Sequence, residues 1–185
     1  MPRNTDSPTQ ATPPSGYTIP PPFTADEFWE KILLLMREHD GYITKERFED
    51  VFGVQLKQTK SYEDGSAMYS LKKGTDWYFD AGLWMTGEKF KKPGGKMGGV
   101  SSSLRIDWDF DTFGEVNVGP CIRTDTARKD ILSSGWRQGI QERHRGAADE
   151  FYKNESTNQV SKITIFHSGD FASSCVKRIT VNGRP

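Results

Sequence analysis

The hydrophobic period of this chain changes once, at Gly53, and that change limits the fold more than any other feature of the sequence. Before it, apolar residues recur at helical spacing; after it they alternate in twos, with β-branched and aromatic residues set between turn signals. A helical front end followed by sheet excludes an all-helical bundle and an all-β sandwich. It calls for an α+β architecture in which an N-terminal helical pair covers one face of an antiparallel sheet of about six or seven strands.

The first helix is marked by a capping box, Thr24-Ala25-Asp26-Glu27, flanked by Phe23 and Phe28 in the positions of a hydrophobic staple. Phe28, Trp29, Ile32, Leu33, Leu35 and Met36 then give a broad apolar face, and Gly41 supplies the stop. A second, shorter helix is expected from a Thr44 cap through Phe48, Val51 and Phe52 to Gly53. Strands follow at 54–60 and 66–72 around an Asp64-Gly65 turn, then at 76–85 and 100–110. The last of these is expected to form a hairpin with 115–122. A final hairpin pairs 160–167 with 172–181. In between, 126–134 and 147–153 read as helical, with Gly135, Gly139 and Gly146 interrupting any single long helix.

Residues 1–22 are proline-rich and nearly free of large apolar groups, so they read as a disordered tail before one domain over 23–185. Lys plus Arg and Asp plus Glu number 25 each. The zero net charge leaves no global field to draw the chain onto nucleic acid or anionic lipid. The longest apolar run, Ile32 to Met36, is far short of the ~20 residues that span a bilayer. Neither membrane insertion nor an uncleaved signal peptide is therefore expected. A signal removed beforehand would leave the same picture, so the compartment stays open between cytoplasm and periplasm or exterior.

The segment Asp40-Gly41-Tyr42-Ile43-Thr44-Lys45-Glu46-Arg47-Phe48 resembles the second half of an EF-hand. Aligned on Gly41, however, the first ligand position falls on Met36 and the twelfth on Arg47, so the resemblance implies a packing device and not a calcium site. No zinc signature links His39, His144 or His167, and neither a metal nor another cofactor is expected. Asn154-Glu155-Ser156 matches the glycosylation triplet, with no secretory signal to support it.

Asp107, Asp109 and Asp111 alternate with Trp108 and Phe110, which places three carboxylates about 7 Å apart on one face of a strand. Thr112 and Val118 break the calcium-loop pattern, so the row reads as a contact surface for a basic partner. The loop Gly87–Gly99 carries Lys89, Lys91, Lys92 and Lys96, but Met97 stands where a P-loop needs Ser or Thr, leaving a partner-binding loop. Residues 123–145 hold Trp136 among six Arg or Lys and three acids, without the aromatic signature of an RNA-binding sheet, and nucleic acid is not expected as a partner. Cys121 and Cys175 could be joined if their strands adjoin, or be two buried thiols.

Taken together these features point to a non-enzymatic protein-binding module, such as an inhibitor, a toxin-neutralising immunity protein or an adaptor, whose partner is another protein with a basic surface. No catalytic residues are assigned, and the oligomeric state is left open. Residues 24–50 hold eight acids against four bases, a net charge of −4 that complements the basic segments elsewhere. The rival reading is a small hydrolase or transferase that brings His144 or His167 to a carboxylate of the aspartate strand.

Overall fold

The computed structural model describes residues 24–71, 79–90, 94–95, 99–107, 121–139, 147–153, 160–167 and 174–185. Helix α1 (Ala25–Arg37) runs into a 3-10 turn (Glu38–Gly41) and is followed by α2 (Lys45–Phe52). Strands β1 (Leu56–Ser61), β2 (Ala67–Leu71), β3 (Asp80–Thr86) and β4 (Ser101–Asp107) come next. The short β5 (Ile122–Arg123), α3 (Thr124–Ser133) and short β6 (Arg137–Gln138) precede β7 (Ala147–Lys153), β8 (Ser161–His167) and β9 (Cys175–Gly183).

Both expected helices start where their caps place them. The Thr24 amide donates to Glu27 Oε2 at 2.6 Å and the Glu27 amide donates to Thr24 Oγ1 at 3.3 Å, closing the capping box. The Arg47 amide donates to Thr44 Oγ1 at 3.2 Å, and α2 stops at Gly53, whose φ of 68° is left-handed. Phe23, the outer half of the staple, and the tail 1–22 lie outside the described residues.

The α+β architecture is as the period change requires, with the N-terminal helical pair packed on an antiparallel sheet. That sheet is larger than expected, with nine strands among the described residues, in the order β1-β2-β3-β4-β9-β8-β7-β6 and β5 paired to β9. All pairings are antiparallel. The core-facing positions run in register across it: Leu83, Leu104, Val181, Ile163 and Phe151 form one row, with Ala81, Ile106, Ile179 and Ile165 in the next. Against them pack Phe28, Ile32, Leu35 and Met36 of α1, Phe48 and Phe52 of α2, and Ala127 and Ile131 of α3, in one continuous core. Phe28, Phe52 and Phe79 meet with ring centroids 5.1 to 6.0 Å apart. Among the described residues no helix is long and apolar enough to cross a membrane.

Two expectations need correction. Residues 147–153, read as helix from their Ala-Ala-Asp-Glu composition, form strand β7, with Asp149 and Phe151 on the core side and Glu150 and Tyr152 on the other. Pairing of all seven residues with β8 overrides the weak helical propensity. The hairpin expected between 100–110 and 115–122 does not form along β4, because both of its edges are occupied, by β3 and by β9. Ile122 pairs with Val176 of β9 instead; residues 108–120 lie outside the described residues.

Candidate binding surface and a buried polar network

The solvent face of the helical pair is built from carboxylates. Asp26, Glu27 and Glu30 of α1 and Glu46 and Asp50 of α2 are exposed, and Leu34, 41% exposed, stands one turn after Glu30. Basic residues of the same layer bond within the molecule: Lys31 Nζ donates to the Val51 carbonyl at 2.6 Å, Lys45 Nζ bonds Glu49 at 2.7 Å, and Arg37, itself exposed, donates from Nε to Ser134 Oγ at 3.4 Å. Among the described residues, Asp26, Glu30, Glu46 and Asp50 have no ion-pair partner. Hydrogen bonding from Thr24 holds the Glu27 carboxyl below its ordinary value.

The aspartate row is placed differently. Asp107 lies on the face of β4 away from the core, where it receives Arg105 Nε of its own strand and Arg178 Nε of β9, directly opposite in register. Its carboxylate is therefore enclosed by two guanidinium groups of the same molecule, and its side chain is 16% exposed. Asp109 and Asp111 lie outside the described residues. Of the loop lysines, Lys89 is exposed just after β3; Lys91, Lys92 and Lys96 lie outside the described residues, as does His144.

Cys121 and Cys175 are joined, with Cα atoms 5.0 Å apart. The bond sits where β5 meets β9, pairing Ile122 with Val176 and Arg123 with Cys175. Immediately beside it a chain of buried polar groups begins. The Thr124 amide and hydroxyl both donate to the Ser174 carbonyl, at 3.0 and 2.9 Å, and the two hydroxyl oxygens are 3.0 Å apart. Ser174 Oγ lies 3.3 Å from His167 Nδ1, and His167 Nε2 lies 3.7 Å from Asp149 Oδ2. Arg128 Nη2 donates to the same Asp149 oxygen at 2.7 Å, and Gln138 Nε2 approaches the other at 3.4 Å.

His167 does meet a carboxylate, then, but one from β7; Asp107, the described member of the aspartate row, is bound by Arg105 and Arg178 instead. The His167 and Asp149 side chains are fully buried, and Ser174 is 6% exposed. Four elements, α3, β6, β7 and β8, and Ser174, the residue before β9, supply this network. A carboxylate enclosed by an arginine and a histidine, with hydroxyls satisfying the far ring nitrogen, can fix the sheet edge to α3 at low dielectric. Among the described residues no group of three or more His, Cys, Asp or Glu is gathered as metal ligands would be.

Sequence reasoning missed Asp149, Arg128 and Ser174. The available signal was Asp149 two residues before Phe151, a carboxylate at a core-facing position of any strand drawn through 147–153; reading that stretch as helix hid it.

No protein-family model, no curated protein and no solved structure matches this chain.

Proposed function

We propose that the protein is a non-enzymatic binding module that recognises a basic surface of another protein through the solvent face of α1 and α2. The observation that carries this reading is the division of charge within the helical layer. Its lysines bond to Val51 and Glu49 of the same layer and Arg37 to Ser134, while Asp26, Glu30, Glu46 and Asp50 face outward around Leu34 without an ion-pair partner among the described residues. Like charges gathered on one face repel one another and favour fast, salt-sensitive association with a complementary surface. An inhibitor, an immunity protein or an adaptor would use such a face in the same way. Asp107, already enclosed by Arg105 and Arg178, is not part of it.

Zero-length carbodiimide coupling in extracts of the native source, followed by mass spectrometry, tests the reading. The expected products join Glu30, Glu46 or Asp50 to lysines of one stoichiometric partner. With that partner purified, the triple variant Glu30→Gln, Glu46→Gln, Asp50→Asn should associate about tenfold more slowly, with a flatter salt dependence. Cross-links confined to other surfaces, or an unchanged association rate, would overturn it.

The proximity of His167 and Asp149 favours a second reading, a small hydrolase or transferase. It requires a substrate to reach side chains that are fully buried here. Turnover that disappears in a folded His167→Ala variant would establish it.

A further inference from the structure

We propose that the Cys121–Cys175 bond is a redox latch, reachable from solvent, that holds β5 and the first turn of α3 onto the sheet and loosens that end alone when reduced. This inference does not rest on the binding reading.

Three observations carry it. The first is access: Cys121 is exposed while Cys175 is half-buried, so an external thiolate meets Cys121 Sγ first. The second is how little else ties this end of the segment to the sheet. The β5 strand contributes two pairs, Ile122 with Val176 and Arg123 with Cys175, where β4 and β8 each contribute six to the same strand. Helix α3 begins after Arg123 with no side-chain cap of its own. The third is what stands next to the bond. Ser174, adjacent to Cys175, accepts both donors of Thr124, the first residue of α3, and its hydroxyl reaches His167. The disulfide therefore aligns the start of α3 with the polar network that ends on Arg128 and Asp149.

The chemistry is ordinary thiol–disulfide exchange with a low-molecular-weight thiol as the reductant. Its thiolate attacks Cys121 Sγ, the S–S bond breaks, and Cys175 leaves as thiolate and takes up a proton. A second thiol then attacks the sulfur of the bound thiol in the mixed disulfide, releasing Cys121 as a thiol. Two electrons pass from two external thiols, which leave as their own disulfide. Once the covalent tie is gone, this end keeps only the two-pair ladder and the Thr124–Ser174 bonds, and short ladders open locally at low cost, while Ala127, Ile131 and Trp136 in the core, the Arg128–Asp149 pair and the β6–β7 pairing hold the rest of the segment in place.

Hydrogen exchange followed by mass spectrometry, on the oxidised protein, on the same protein with dithiothreitol in native buffer, and on the Cys121→Ser/Cys175→Ser variant, tests the latch. Dithiothreitol should expose two alkylatable thiols without denaturant. Exchange across residues 121–127 should then quicken at least about tenfold, while β3, β4, residues 131–138 and the 178–183 part of β9 keep their protection. Reoxidation should restore the slow pattern, and the double variant should show the fast one without reductant. Thiols that appear only after denaturation would overturn the claim of access. Unchanged exchange after reduction would overturn the latch, and loss of protection across the whole sheet would make the bond a global staple instead.

Discussion

Gly183 of β9 lies directly against the backbone of Gly41, so close that a Cβ on Gly183 would overlap the Gly41 carbonyl and the Tyr42 nitrogen. Gly41 is equally confined: its φ is 83°, and a Cβ there would stand 3.0 Å from the Trp136 ring and 3.2 Å from a Val181 methyl. The turn between α1 and α2 is seated on the middle strand of the sheet by two residues without side chains. The Ile43 amide, donating to Ser102 Oγ at 2.8 Å on neighbouring β4, sets the same contact from the other side.

Gly183→Ala should accordingly cost about 3 kcal/mol, the upper end of the overpacking range. Gly53→Ala is the comparison, since Gly53 is left-handed but has nothing within 4 Å of its Cβ; it should lose only a conformational part, about 1 kcal/mol. Denaturant midpoints measure both, and equal losses would mean that the α1–α2 turn gives way freely.

Asp149→Asn keeps the shape of the buried network and removes its charge. Arg128 and His167 then face a neutral amide at a site where Asp149 has no exposure, and losing one member of a buried pair typically costs about 3–5 kcal/mol. Urea unfolding followed by tryptophan emission reports the change, because Trp29 Nε1 donates to Asp130 on the helix that carries Arg128. A loss below about 1 kcal/mol would show that the network is not under electrostatic tension.

Acid should weaken the fold through Glu49. Its carboxylate accepts Lys45 Nζ at 2.7 Å and the Leu56 amide at 2.7 Å, and these bonds, the lysine first, hold its pKa below the ordinary 4.5. The protonated form is thus favoured in the unfolded chain, so this stabilisation is complete above pH 4.5 and is lost as pH falls through the lower folded value. Lys45 behaves in the opposite sense: Glu49 raises it above 10.5, and its contribution is complete below that pH and lost on going higher. Glu49→Gln should flatten the acid limb of a stability–pH curve measured by urea midpoints. An unaltered limb would place the acid sensitivity elsewhere.

Thr24→Ala removes the acceptor of the Glu27 amide, and Thr44→Ala that of the Arg47 amide. Each should cost about 1 kcal/mol. Thr44 joins a helix whose Phe48, Val51 and Phe52 are buried, so its loss should appear in the global unfolding midpoint. Thr24 caps the exposed start of α1, and its loss should show mainly as faster amide exchange over the first turn.

The helical layer was legible because its information is local: Thr24 and Glu27, or Thr44 and Gly53, act within a few residues of one another. The turn at Asp64-Gly65 was legible for the same reason, with the Ser66 amide donating to Asp64 Oδ1 and Gly65 at a φ of 81°. What sequence periodicity could not supply is which strands become neighbours. Alternation correctly puts Asp107 opposite Ile106, but Arg178, which lies 71 residues away, reaches Asp107 only through the β4–β9 register. Strand β7 failed for a related reason: its seven residues include no β-branched side chain, and its pairing with β8 decides their conformation.

The position of β9 also governs the order in which this protein can be made. Strands β1 to β4 and strands β6 to β8 form two separate half-sheets along the chain, and the strand that joins them, Cys175–Gly183, comes last among those described. During vectorial synthesis both halves must wait at the ribosome with an open edge each, β4 on one and β8 on the other, until residue 183 has emerged. Such waiting edges are templates for pairing with the wrong chain. A nascent chain halted before Arg178 would lack the row Ile179–Val181 that closes the core and would be a substrate for chaperones, whereas emergence of residues 178–183 completes the sheet in a single step.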